Sequence, residues 1–139
     1  MNKDRAIYKD TLLDHYKNPR NFHRVPFGED YATARGRNPK CGDDVEVGFK
    51  IVGNQIQDIG FRGRGCSICI ASTSIMTEAL SNKDIVFAKE VFEKVKSWSQ
   101  VKAVLPDTVA SLEAISDSPA RMKCALLGWN ALSELLSDQ

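Results

Sequence analysis

The chain has 139 residues, with 19 Lys and Arg against 18 Asp and Glu. That length suits one domain around one core, and a net charge of +1 removes the electrostatic footprint of a general nucleic-acid or anionic-membrane binder. A 42% hydrophobic, 27% charged composition excludes wholesale disorder, and no apolar run approaches the roughly 18 residues of a membrane span.

In chain order, residues 4–17 carry Tyr8, Leu12, Leu13 and Tyr16 at helical spacing, so an amphipathic helix is expected, ending before Pro19. Residues 18–30 hold prolines, asparagines and a glycine and read as a loop, followed by a short edge strand over 31–35. Val45, Val47, Phe49 and Ile51 alternate with Glu46, Gly48 and Lys50, the two-residue period of a strand with one buried face. Gly53-Asn54 signals a hairpin, and 55–62 supply the returning strand with Ile59 and Phe61 inward. Ile56 falls out of that phase, which predicts a bulge. Gly63-Arg64-Gly65-Cys66 then leads into a helix with Ile68, Ala71, Ile75 and Ala79 on one stripe. Ser81 with Asp84 suggests a capping box for the next helix, which carries Ile85, Ala88, Val91, Phe92, Val95 and Trp98 and breaks at Leu105-Pro106-Asp107. Ser118-Pro119 opens a last helix running to about Leu136, with Met122, Leu126, Trp129 and Leu132 near one face. A helix, a small antiparallel sheet and then helices alone define an α+β fold, a three-stranded sheet with helices on one face, in a single domain spanning 1–139.

The residues Lys3, Asp4, Arg5, Lys9 and Asp10 leave no apolar signal segment, so a cytoplasmic protein is expected. In a reducing compartment Cys41, Cys66, Cys69 and Cys124 point to metal binding or thiol chemistry rather than disulfides, although each alone reads as a small buried hydrophobe. The hairpin brings the start of its first strand beside the end of its second, so 41–43 and Cys66 become neighbours at one end of the sheet. Cys124 joins them if the last helix packs there. Three thiols with a carboxylate suit tetrahedral zinc, and soft thiolates suit iron–sulfur clusters as well. Gly42 permits an unusual backbone angle between Cys41 and Asp43, Gly63 and Gly65 permit close approach, and Cys66 opens a helix whose N-terminal partial charge favours an anionic sulfur. Taken in isolation, Asp43 or Asp44 reads rather as a turn or strand-edge carboxylate. Cys66-Ser67-Ile68-Cys69 is a CxxC, but a thioredoxin-like dithiol belongs in a βαβ context, and here a hairpin precedes it. Cys69 lies one turn beyond Cys66, either within reach for disulfide exchange or, the favoured reading, packed against the sheet. His15 reads as a helix-surface or packing residue and His23 as a loop residue.

The stretches DHYKNPRN (14–21), NPKCGDD (38–44), GRGCSICIASTSIM (63–76) and ARMKCALLGW (120–129) resemble the U-type iron–sulfur cluster assembly family, comprising IscU, SufU and NifU N-terminal domains. The long Cys66-to-Cys124 spacing is similar to the SufU branch. Lys123 stands where IscU has a histidine, and Leu105-Pro106-Asp107 replaces the chaperone-recruiting Leu-Pro-Pro-Val-Lys motif. The resemblance implies Zn2+ held by Cys41, Asp43, Cys66 and Cys124, with sulfur accepted as persulfide from a PLP-dependent, SufS-like cysteine desulfurase and passed to a downstream cluster scaffold or apo-proteins. It leaves Cys69 outside the site. The alternative it carries is a scaffold assembling a labile [2Fe–2S] cluster, or holding iron, on the same residues; a zinc-stapled interaction module without thiol turnover is the third reading. Cys41, on a Gly-flanked loop, is the expected nucleophile because it costs least to move. Arg121 and Lys123 either offset thiolate charge or decorate an exposed helix face. DHYKNPRN implies a desulfurase interface. The chain is expected to be a monomer acting as a sulfurtransferase-like partner, binding neither nucleic acid nor membrane.

Overall fold

The period-two pattern of residues 43–52 organises the structure, a computed structural model that describes residues 2–22, 28–40 and 42–139. Strands β1 (Ala32–Asn38), β2 (Asp43–Val52) and β3 (Gln55–Arg64) pair antiparallel in the order β1-β2-β3. Val45, Val47 and Phe49 of β2 and Ile59 and Phe61 of β3 are fully buried on one face, as their alternation requires. The register shifts between Lys50 and Ile51, which pair with Asp58 and Ile56. This is the bulge the misphased Ile56 predicts: the shift turns Ile56 back to the core face, where it too is fully buried. β1 extends three residues beyond the expected edge strand, to Asn38 opposite Asp43.

Helices α1 (Asn2–Lys17), α2 (Ser67–Leu80), α3 (Ile85–Val101), α4 (Pro119–Ala125) and α5 (Leu127–Ser137) surround this face, with a 3-10 segment over Asp107–Ile115. α5 lies across β1 and β2, and α2 lies against β3. At Gly36 a Cβ would stand 2.6 Å from the Leu127 carbonyl oxygen, so the missing side chain sets how closely α5 approaches the sheet.

Four expectations are corrected. α2 is the central helix, buried well beyond its expected stripe: Ser72, Thr73, Ser74 and Thr77 are inside too, with Thr73 donating to the Cys69 carbonyl at 2.8 Å and Thr77 to that of Ser74 at 2.8 Å. Hydroxyls satisfied by their own helix pack as small residues. Asp84, not Ser81, caps α3, accepting from the Phe87 N–H at 2.7 Å, while Ser81 ends α2. The last helix is two helices, with Leu126 as the hinge between α4 and α5. On α1 only Leu12 of the expected apolar face is buried; Leu13 and Tyr16 stay exposed. Ser118 caps α4 as expected, accepting from the Arg121 N–H at 3.2 Å.

Candidate metal centre

Strand alternation chooses between the two adjacent aspartates. Asp43 shares the inner face with Val45 and Val47 and is 3% exposed. Asp44 faces the other way, where the guanidinium nitrogens of Arg35 and Arg37 lie 3.1 and 3.5 Å from its carboxylate. The Asp43 Oδ1 accepts a hydrogen bond from the Cys66 backbone N–H at 3.0 Å, tying the start of β2 to the entrance of α2. Its Oδ2 is buried with no hydrogen-bond partner among the described residues. An ionisable oxygen left like this is costly unless something of opposite charge completes it.

Two sulfurs supply the surroundings that a cation needs. Cys66 is the N-cap of α2 and exposed, and Cys124 sits in α4, half-buried. One ligand atom each from Asp43, Cys66 and Cys124 lies within 4.8 Å of the other two. The convergence that the sequence leaves open is thus met for Cys124. A buried hydroxyl secures it: Ser72 Oγ on α2 donates to the Ala125 carbonyl at 2.7 Å and accepts from Trp129 Nε1 at 3.1 Å, clamping the α4–α5 junction beside Cys124. The donor set, soft thiols with one carboxylate, fits zinc and equally the thiolate-rich environment of iron.

The fourth sequence-predicted ligand and expected nucleophile, Cys41, lies outside the described residues, as does His23. Next to Cys41, Gly42 has φ +73°, the left-handed angle that glycine tolerates best.

Cys69, left outside the site by the sequence reading, is fully buried. A Cβ at Gly65 would stand 3.0 Å from Cys69 Sγ and 3.4 Å from Asp43 Oδ1, so thiol and carboxylate flank one point. Burial first, then the negative charges of Asp43, Cys66 and Cys124, pushes the Cys69 thiol up to about 12. Its signal in the sequence was the CxxC spacing.

The remaining candidates fall elsewhere. His15 is buried, with Nδ1 2.8 Å from Ser74 Oγ and Nε2 3.4 Å from Glu78 Oε1. Burial, with Arg20 nearby, lowers its pKa below the ordinary value. Ser74 Oγ also accepts from the Arg20 backbone N–H at 2.8 Å, so His15 and Ser74 pin the end of the DHYKNPRN stretch. Arg121 and Lys123 are exposed on α4. Arg121 lines a groove of about 370 Å³ with Ser67 and Ile68 of α2 and with Leu13 and Tyr16 of α1.

The family described as NifU-like N terminal domain matches residues 7–138. The chain belongs to this family. It is 36% identical over 133 residues to the zinc-dependent sulfurtransferase SufU of Bacillus subtilis, spanning 93% of this chain and 88% of that protein. It is 31% identical over 140 residues to the iron-sulfur cluster assembly scaffold protein IscU of Streptococcus pyogenes, spanning 98% of this chain and 86% of the relative. Among solved structures it is similar to FiSufU of Fervidobacterium islandicum AW-1, described as a cluster assembly scaffold for the SUF system, with TM-score 0.76, 27% identity and coverage of 94% and 97%. A NifU-like N-terminal protein from Brucella abortus superposes with TM-score 0.81 at 19% identity, covering 94% and 92%, which shows the shared fold. For this NifU-like chain, the α+β architecture of the sequence analysis is therefore the family's own.

Proposed function

We propose that the chain is a zinc-dependent sulfur acceptor in iron–sulfur cluster assembly, taking persulfide sulfur from a cysteine desulfurase. The observation that carries this reading is the convergence of Asp43, Cys66 and Cys124, with the Asp43 Oδ2 buried and unpaired. Asp43, Cys66 and Cys124 would hold the ion with Cys41 as fourth ligand. Zinc supplies thiols held as thiolates at neutral pH without redox chemistry of its own.

The chain's residues then divide the work. Cys66 and Cys124 are fixed by helices, and Asp43 by its strand and its bond to the Cys66 N–H. Cys41, beside the Gly42 turn, is the sulfur that moves. Its thiolate attacks the outer sulfur of the donor's persulfide; that S–S bond breaks, the donor cysteine leaves as thiolate, and Cys41 carries the persulfide. Exposure of Cys66 supports delivery from outside. The groove between α1 and α2, with apolar Leu13 and Tyr16 beside the basic Arg121, supports docking of the PLP-dependent partner next to the site. Sulfur then passes to a scaffold or apo-protein, and residues 1–139 act as one domain. No described helix is long and apolar enough to cross a membrane, consistent with work in the cytoplasm. The scaffold reading, a labile [2Fe–2S] cluster on the same residues, draws support from the relatives named as IscU scaffolds.

Incubating the chain with a cysteine desulfurase and cysteine, then weighing the intact protein, tests the proposal. Added sulfur together with faster desulfurase turnover is expected. No adduct with unchanged turnover refutes it.

A further inference from the structure

Cys66 and Cys69 occupy successive turns of one helix entrance. Cys66 is the N-cap of α2, and the Ile70 N–H bonds back to its carbonyl at 3.1 Å, closing the first turn that carries Cys69. Residues three apart on such a turn have Cα atoms about 5 Å apart, inside the roughly 4.4–6.8 Å that a disulfide spans, and closing the bond draws their Cβ atoms together to about 3.5–4.5 Å. The two thiols differ in access. Cys66 is exposed, whereas Cys69 has none of its surface in solvent and faces the same point as the Asp43 carboxylate. The other oxygen of that carboxylate, Asp43 Oδ2, is buried without a hydrogen-bond partner among the described residues.

The geometry points to Cys66 and Cys69 as a resolving dithiol that closes into an intramolecular disulfide under peroxide and thereby ejects the metal from the centre. Hydrogen peroxide oxidises the exposed Cys66 thiol to a sulfenic acid, releasing water. The Cys69 thiol attacks that sulfur, forming the S–S bond, and the sulfenic oxygen leaves as water. Two electrons have passed from the sulfurs to the peroxide, and a small-molecule thiol pair reverses the step by becoming a disulfide itself. With Cys66 engaged, Asp43 and Cys124 lose the sulfur that completes their cluster. The ejection rests on the zinc reading above; the disulfide does not.

Tryptic cleavage separates the possibilities, because Cys66 and Cys69 share fragment 65–83 while Cys41 lies in 41–50 and Cys124 in 124–139. Full-length protein, zinc-loaded and zinc-free, is treated with hydrogen peroxide; released metal is followed with a chromophoric chelator, and non-reducing digests are weighed. The expected result is fragment 65–83 lighter by two hydrogens, appearing in step with metal release and reversed by dithiothreitol. Cys69→Ala and Cys69→Ser, two replacements of different polarity, should lose the light fragment, accumulate oxidised Cys66 and release metal several-fold more slowly. Fragment 65–83 joined to 41–50 or 124–139, or metal release at the wild-type rate in both variants, overturns the proposal. A light fragment in protein that takes up no zinc when zinc is offered supports the dithiol and refutes the zinc reading instead.

Discussion

Asp43 holds two positions at once, and replacing it in two ways separates them. Its Oδ1 receives the Cys66 N–H at 3.0 Å, and its Oδ2 is the atom available to a cation. Asp43→Ala removes both. Losing a hydrogen bond to a charged acceptor costs about 1.5–3 kcal/mol. For a domain of this size that lowers the metal-free Tm by roughly 5–12 °C. Asp43→Asn keeps an acceptor oxygen for the Cys66 N–H, so it should lose less than half as much stability. Its second oxygen becomes an amide that cannot ligate, so zinc affinity should drop in Asp43→Asn as far as in Asp43→Ala, by about tenfold or more (about 1.4 kcal/mol). Thermal melts of the metal-free variants and competition with a chromophoric chelator measure the two effects separately. Wild-type zinc affinity in Asp43→Asn would refute the reasoning and reduce Asp43 to a tie between strand and helix.

Cys41→Ser should abolish sulfur acceptance in intact-protein mass spectra while the circular dichroism of the fold survives; retained acceptance would assign the nucleophile elsewhere. Ser72→Ala leaves the Ala125 carbonyl and Trp129 Nε1 without their shared partner, so urea unfolding should show a loss of about 1–3 kcal/mol. Zinc affinity should fall with it, because Cys124 adjoins the loosened junction. Gly36→Ala pushes a methyl to 2.6 Å from the Leu127 carbonyl and should cost about 1–3 kcal/mol in the same assay. His15 has a lowered folded pKa, so below its ordinary value of 6.5 the unfolded chain takes up a proton that the folded chain refuses. Stability should therefore fall as pH drops below about 6.5 until the lowered pKa is passed, and His15→Gln should remove that part of the slope.

What could be read without coordinates is what local chemistry dictates. The alternation of Val45, Val47 and Phe49 fixed the inner face of β2, and it assigns Asp43 inward and Asp44 outward as well. Gly53-Asn54 and Ser118-Pro119 mark a turn and a cap whose geometry depends on a few neighbouring residues. Tertiary contact decided the remainder. Ser72, Thr73, Ser74 and Thr77 look polar in a pattern, yet α2 runs through the interior because Thr73 and Thr77 bond to its own carbonyls, Ser72 to α4 and α5, and Ser74 to His15 of α1 and the Arg20 N–H. The break at Leu126 has no proline or glycine at the hinge to announce it, and the 3-10 segment over Asp107–Ile115 carries no repeat a reader could recognise. Cys124 needed the fold itself, since its distance from Cys66 in sequence says nothing of where α4 docks. Cys69 was visible only as a spacing, and its place beside Gly65, whose other neighbour is the Asp43 carboxylate, comes from the fold.

The central claim is that a strand start, a helix entrance and a late helix deliver their donors to one ion. X-ray absorption at the zinc edge of the loaded protein reads that shell directly. The account predicts four-coordinate zinc with three sulfurs near about 2.3 Å and one oxygen near about 2.0–2.2 Å, falling to two sulfurs in Cys124→Ser. A shell dominated by water or imidazole, or one unchanged in Cys124→Ser, would contradict it.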